Sequence, residues 1–153
     1  MARFSMKRVI ACAATILVVT PLLATPADTV KSRVAGLREL GAAFKGLKDG
    51  LNSSDPQTIL IQQSARQVRN AAAQMPSWFP AGTGSQPGVK TSAKPEIWTQ
   101  AEKFKSSQAT FAAEASKFQM IVNSGNVAAM RAEFPKLGAT CKGCHDSFRV
   151  PST

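Results

Sequence analysis

Near the end of this 153-residue chain, Cys141-Lys142-Gly143-Cys144-His145 is the group of residues best equipped for chemistry. Cys-x-x-Cys-His is the attachment signature of c-type haem. The two thiols add across the porphyrin vinyl groups, and the histidine can coordinate iron from one face of the ring. On a helix, positions i and i+3 share a face about one turn apart, so Cys141 and Cys144 can reach the same ring edge. His145 then projects beneath the iron.

Other chemistries suit these cysteines less well. A dithiol redox motif normally sits where a helix begins, because that end lowers a thiol pKa. Here the motif closes a helical pattern, where the dipole has the opposite sign. Structural zinc usually takes four Cys or His ligands, and His145 is the one histidine of the chain. A disulfide between Cys141 and Cys144 would sit poorly in a regular helix. The expected cofactor is therefore one haem c, covalent through Cys141 and Cys144, with His145 as metal ligand.

The other end of the chain agrees. Arg3, Lys7 and Arg8 precede an apolar run from Val9 to about Ala24, and Thr25-Pro26-Ala27 closes it with small residues. That is the layout of a secretory signal peptide, cleaved after Ala27 or alternatively after Ala24. The run is short for a membrane span and is broken by Pro21. A lipoprotein-type box at Val9-Ile10-Ala11-Cys12 leaves almost no apolar stretch before Cys12. Residues 1–27 are read as the signal and 28–153 as one small domain. The expected location is the periplasm, with no membrane-spanning segment after signal removal. Losing Arg3, Lys7 and Arg8 takes 19 basic residues to 16, against 9 acids, a net +7. Two haem propionates would bring this to about +5. Export and the lack of a basic-aromatic recognition pattern argue against nucleic acid. The charge suits an acidic partner or an anionic membrane.

Four amphipathic segments must position the motif. The first runs from about Thr29 to Leu51 with apolar residues at Val30, Val34, Leu37, Leu40, Phe44, Leu47 and Leu51. Asp55-Pro56 supplies a cap and a first-turn proline for the second, striped at Ile61, Ala65, Val68, Ala72 and Met75. The third opens at Pro95-Glu96 and repeats Ile97, Phe104, Phe111 and Phe118 at sevens, read as packing rather than as a cofactor box. The fourth follows Gly125 and carries Val127, Met130, Phe134, Leu137, Cys141, Cys144 and Phe148, with Pro135 expected to bend it near Phe134. A sustained period near 3.6 predicts an all-α, antiparallel four-helix bundle, its haem entering beside the C-terminal helix. Between the second and third segments, Pro76 to Lys94 is long and rich in Pro and Gly. A loop of that length is usually functional or disordered, and Trp78 and Phe79 are expected to fold down onto the haem or the core.

The whole of this pattern resembles the cytochromes c′. It includes Arg33-x-x-x-Leu37 in the first helix and Lys94-Pro95-Glu96-Ile97-Trp98 opening the third. Phe134-x-x-x-Gly138-x-x-Cys141-x-x-Cys144-His145-x-x-Phe148-Arg149 closes the fourth. The resemblance implies that Arg33 lies near the haem propionates and Arg149 beside the proximal imidazole. Pro135 and the inserted loop residues depart from the commoner pattern. Members are commonly homodimers packed through the first two helices.

What stands in the sixth iron position decides the function. With one histidine used, methionine is the remaining strong ligand. Met130 precedes His145 by fifteen residues on the same helix, about 22 Å along it, and cannot reach the same iron. Met75 and Met120 read as core or cap residues. Low-spin relatives of the cytochrome c-556 type carry methionine four residues after the arginine. That position is Leu37 here, which is otherwise an ordinary core leucine on a regular stripe. The resemblance implies a five-coordinate iron under a hydrocarbon distal face, binding nitric oxide and carbon monoxide in preference to dioxygen. The alternative is a low-spin periplasmic electron carrier serving an unidentified redox partner. Enzyme chemistry is not expected, since no distal histidine or acid is available to assist bond cleavage.

Overall fold

The structure is a computed structural model that describes residues 24–151; most of the expected signal segment, 1–23, lies outside the described residues. Among the described residues there are five α-helices, α1 (Pro26–Asn52), α2 (Thr58–Gln74), the short α3 (Glu96–Thr99), α4 (Ala101–Asn123) and α5 (Val127–Phe148), and a 3-10 turn, Met75–Trp78, that follows α2. The four long ones form the bundle.

Helix α1 opens where the sequence offers a cap. The Thr25 hydroxyl accepts from the Asp28 backbone N–H, Pro26 fills the first turn, and Asp28 adds an acid there. The second helix starts later than expected. Asp55 does not cap it. Its carboxylate accepts from Gln57 Nε2 at 2.7 Å and its N–H bonds to Ser53 Oγ at 3.1 Å, so it is consumed in the turn. Helical geometry begins only at Thr58.

The third segment is broken rather than continuous. Gln100 (φ −119°, ψ 47°) separates α3 from α4. Trp98 Nε1 donates to the Pro80 carbonyl at 3.1 Å, which ties α3 to the preceding loop. The fourth segment matches its expected start, with Asn126 Oδ1 accepting from Ala129 N–H at 3.0 Å, and α5 runs through Pro135 as a helix. Pro135 is exposed, so its missing N–H and its ring disturb no packing surface.

Close packing joins consecutive helices as antiparallel pairs. A Cβ on Gly46 would stand 2.9 Å from Ser64 Oγ, and one on Gly50 2.9 Å from Ile61 Cγ1, so these glycines let α2 lie against α1. Phe118 and Phe134 approach to 6.0 Å between α4 and α5. Lys117 pairs with Glu133 across the same two helices, and Lys136 pairs with Glu133 at 2.9 Å. Arg131 of α5 donates to the carbonyls of Leu51 (2.7 Å) and Ser53 (3.2 Å), satisfying the C-terminal end of α1.

The main core gathers Leu47, Leu51, Ile61, Val68, Phe118, Val122, Met130 and Leu137. A second, smaller apolar cluster holds Ile97, Phe104 and Phe148, with Phe79, Trp98 and Cys144 packed against it. Between the ends of α1 and α5 the bundle opens. Phe44 stacks on Phe134 at 4.8 Å, and beyond that contact lies a cavity.

Candidate haem-binding site

The cavity has a volume of about 1120 Å³ and is lined by α1, α4, α5 and the segments between α2 and α4. Helix α5 contributes Thr140, Cys141, Cys144, His145 and Phe148, followed by Arg149 just past its end. Helix α1 contributes Val34, Leu37, Arg38, Leu40, Gly41 and Phe44, and α4 contributes Phe104, Ser107, Gln108 and Phe111. Met75, Phe79, Ile97 and the loop residues Ser85 and Val89 to Ala93 complete the wall.

The motif sits as its spacing requires. Cys141 and Cys144 are both free and half-buried on the cavity side of α5. Burial raises both thiol pKa values, and the neighbouring Cys141 raises that of Cys144 further. A redox dithiol needs the reverse shift. Among the described residues, no group of three or more His, Cys, Asp or Glu stands close enough to hold a metal ion. For His145, partial burial comes first and the charge of Arg149 second in holding the imidazole below its usual range, while Asp146 opposes them. The neutral ring that results is the form that ligates iron.

Arg149 is placed by backbone pairing. Its N–H bonds back to the His145 carbonyl at 3.1 Å, and it forms a β-bridge with Ala93. Lys94 N–H to the Phe148 carbonyl (3.0 Å) and Val150 N–H to the Ser92 carbonyl (2.8 Å) extend that tie. Arg149 lines the cavity, and also a smaller depression on the outer side with His145, Asp146, Val150 and Pro151.

Leu37 lines the cavity and stays 38% exposed, unlike the buried leucines at 47 and 51 further along the same helix. Arg33 behaves differently. It is 1% exposed and is not part of the cavity wall. Its Nη1 donates to Thr83 Oγ1 (3.1 Å) and the Trp78 carbonyl (3.4 Å), and its Nη2 to the Thr83 carbonyl (2.9 Å). The guanidinium stands 4.8 Å from the Phe79 ring centroid and 5.6 Å from that of Trp98. Burial lowers its pKa, and its Nε has no partner. Arg33 therefore fastens the loop that carries Phe79 over the cavity. Trp78 packs on Gly36, where a Cβ would come within 3.1 Å of the indole.

Sequence reasoning passed over Gln108. It lies on the apolar face of α4 between Phe104 and Phe111, is 5% exposed, lines the cavity, and leaves its Nε2 without a partner. Its position on that stripe, four after Phe104 and three before Phe111, was the available signal. Phe104 and Phe111 also line the cavity, so the repeat of phenylalanines at sevens is wall as well as packing. Of the three methionines considered as ligands, Met120 is 66% exposed, Met130 is fully buried, and Met75 lines the cavity.

The residues present fit a haem. The space is large and mostly hydrocarbon, both thiols and the imidazole open onto it, and two buried donors, Arg33 Nε behind the wall and Gln108 Nε2 in it, lack acceptors. Three cations and no carboxylate line it, which suits a ring bearing two propionates.

Comparison with known proteins agrees. The family profile described as cytochrome c′ matches residues 28–149. The chain is 30% identical over 126 residues to a cytochrome c′ of Alcaligenes xylosoxydans xylosoxydans, covering 82% of this chain and 96% of that one. It is 30% identical over 126 residues to the cytochrome c′ of Pararhodospirillum photometricum, covering 82% and 99%. Among solved structures, cytochrome c′ from Thermochromatium tepidum superposes with a TM-score of 0.78 at 25% identity, covering 83% of this chain and 98% of that one. A nitric oxide complex of a leucine-to-isoleucine mutant of cytochrome c prime from Alcaligenes xylosoxidans gives 0.75 at 27% identity, covering 85% and 100%. The likeness runs across nearly the full length of these relatives, and the chain, with its cavity walled by two thiols and one histidine, belongs to the cytochrome c′ family.

Proposed function

We propose that this chain is a periplasmic haem protein with five-coordinate iron and an apolar distal face, binding nitric oxide and carbon monoxide. The haem is held covalently through Cys141 and Cys144 and ligated by His145. When bound, it would supply a redox-active iron able to take a diatomic gas. The observation that carries this reading is the α1 wall of the cavity. Val34, Leu37, Leu40 and Phe44 stand there, and none has an atom that can ligate metal.

The chain's own groups do the rest. His145 presents a neutral imidazole, since burial and Arg149 disfavour its proton. The Leu37 side chain itself puts bulk, and no hydrogen-bond donor, on the α1 wall. Dioxygen depends on such a donor more than nitric oxide or carbon monoxide does. Arg149 is the cation beside His145 and stands ready on the outer side. No Asp or Glu and no second histidine lines the cavity to move a proton during bond cleavage, which supports binding rather than catalysis. A leucine-to-isoleucine mutant of a relative, 27% identical to this chain, has been seen in complex with nitric oxide, which supports the ligand class. Pairing into a homodimer through α1 and α2 is part of the same reading, and Ile59 and Leu60 stand 56% exposed at the start of α2.

One observation favours the second reading, a low-spin electron carrier: the thioether of Met75 lines the same cavity. Visible and near-infrared spectra of the holoprotein, oxidised and reduced, separate the two. High-spin reduced bands, and no charge-transfer absorption from a methionine–iron bond, are expected. A sharp low-spin reduced spectrum with that absorption, abolished in Met75→Leu, would make the carrier the function.

A further inference from the structure

Arg38 of α1, Lys90 of the loop and Arg149 at the end of α5 are all exposed, and all line the cavity. None of them forms an ion pair among the described residues. Two more lysines flank the same rim. Lys94 Nζ donates to the Asp146 carbonyl at 3.3 Å, and Lys103 Nζ stands 5.9 Å from the Phe148 ring centroid. Of the acids nearby, Asp146 pairs with Lys142 at 2.6 Å and Glu102 with Lys105 at 2.8 Å, while Glu39 and Glu96 pair with no cation among the described residues but do not line the cavity. Two haem propionates can balance two of these five cations, so the mouth of a loaded cavity stays positive.

Binding gas in the ferrous state and carrying electrons share one requirement: an outside donor must deliver an electron at the haem edge. We propose that this rim is the docking surface for an acidic one-electron protein, its carboxylates facing Arg38, Lys90 and Arg149. The proposal rests on the haem reading above. One electron passes from the partner, which is oxidised by one unit, to the haem, which is reduced by one, and no atom is transferred. The rim is a depression whose cations alternate with Ser85, Thr91 and Ser92. A convex protein surface fills such a shape better than a flat layer of anionic lipid headgroups does.

The probe is plastocyanin, an acidic one-electron copper protein, mixed with the exported, haem-loaded protein. Binding is followed by calorimetry and electron transfer by stopped flow. The control is Lys48→Glu, ten residues beyond Arg38 on the same helix and about 15 Å along its axis. The expected rate falls about tenfold between low salt and 0.2 M salt. The double variant R38E/K90E lowers the low-salt rate and the affinity about tenfold, whereas K48E leaves both nearly unchanged. A loss per reversed charge in K48E equal to that in R38E/K90E, showing net charge alone, or rates independent of salt would overturn the docking surface. So would phosphatidylglycerol vesicles binding through Arg38 and Lys90 while plastocyanin binding ignores them. A purified chain whose mass shows no covalent haem would sink the haem reading itself, a different result from loaded protein without patch dependence.

Discussion

Arg33 is buried without a carboxylate beside it, and its three hydrogen bonds all go to the loop between Trp78 and Thr83. Hydrogen bonds from a charged donor are worth more than neutral ones, and the acceptors left behind would be buried. Arg33→Met should therefore cost about 2–4 kcal/mol of stability, read as a lower urea midpoint. Limited proteolysis should cut first near residue 83. The sequence pointed to Arg33 through its spacing from Leu37. It did not reveal that the side chain turns behind Phe79 to hold a loop, because the loop's path depends on contacts 45 and 50 residues away. Gln108 was hidden for a similar reason. A glutamine on an apolar stripe reads as noise until the cavity beside it is known. Its orphan amide makes a sharp contrast testable. Gln108→Leu should destabilise the haem-loaded protein by about 1–3 kcal/mol, if the amide is satisfied there. The same change in a haem-free Cys141→Ala/Cys144→Ala background should be neutral or stabilising.

Helices meet here through a few small or charged residues, and substitutions at those places separate packing from propensity. An alanine at Gly143 meets nothing within 4 Å and should stabilise α5 by up to about 1 kcal/mol. An alanine at Gly50 should destabilise despite the same gain in propensity, because its Cβ would press on the buried Ile61 at 2.9 Å. Thermal unfolding of the two variants, in opposite directions, checks both. Glu133 joins α4 to α5, and its hydrogen bonds from Lys117 and Lys136 lower its pKa to about 2. An unfolded glutamate titrates near 4.3. The contribution is present above that value and is lost as pH falls from there toward about 2. Glu114, raised first by burial and then by Glu133, opposes it with the opposite sign. Glu133→Gln should thus flatten the acid limb of a stability–pH curve below about pH 5.

Periodicity placed these helices well, since each buries a stripe of its own. It missed the break at Gln100 and the late start of α2, where the decisive bonds are Trp98 to Pro80 and Asp55 to Gln57. Neither bond leaves a periodic trace in the chain.

Taken together, the helices form a bundle whose core is incomplete without its prosthetic group. One apolar cluster fills the end around Leu47, Phe118 and Leu137, and a smaller one surrounds Phe104 and Phe148. The cavity of about 1120 Å³ lies at that second end and shares Phe104 and Phe148 with its cluster. A folded chain cannot keep so much hydrocarbon-lined space without losing the packing that normally fills it. The haem is then as much a core element as a reactive one, and it stabilises only the folded state that receives it. Replacing both cysteines by alanine should lower the melting temperature by about 10 °C or more, since each kcal/mol moves a domain of this size by several degrees. Hydrogen exchange should show where. Amides around Leu47 to Leu51, Ile61 to Val68 and Phe118 to Leu137 should stay protected, because their core is built from side chains alone. Those of residues 34–44, 104–111 and 141–149 should exchange faster, because their shared neighbour is the haem. Uniform loss of protection along all four helices would instead mean that the bundle folds as one unit, with the haem stabilising both ends equally.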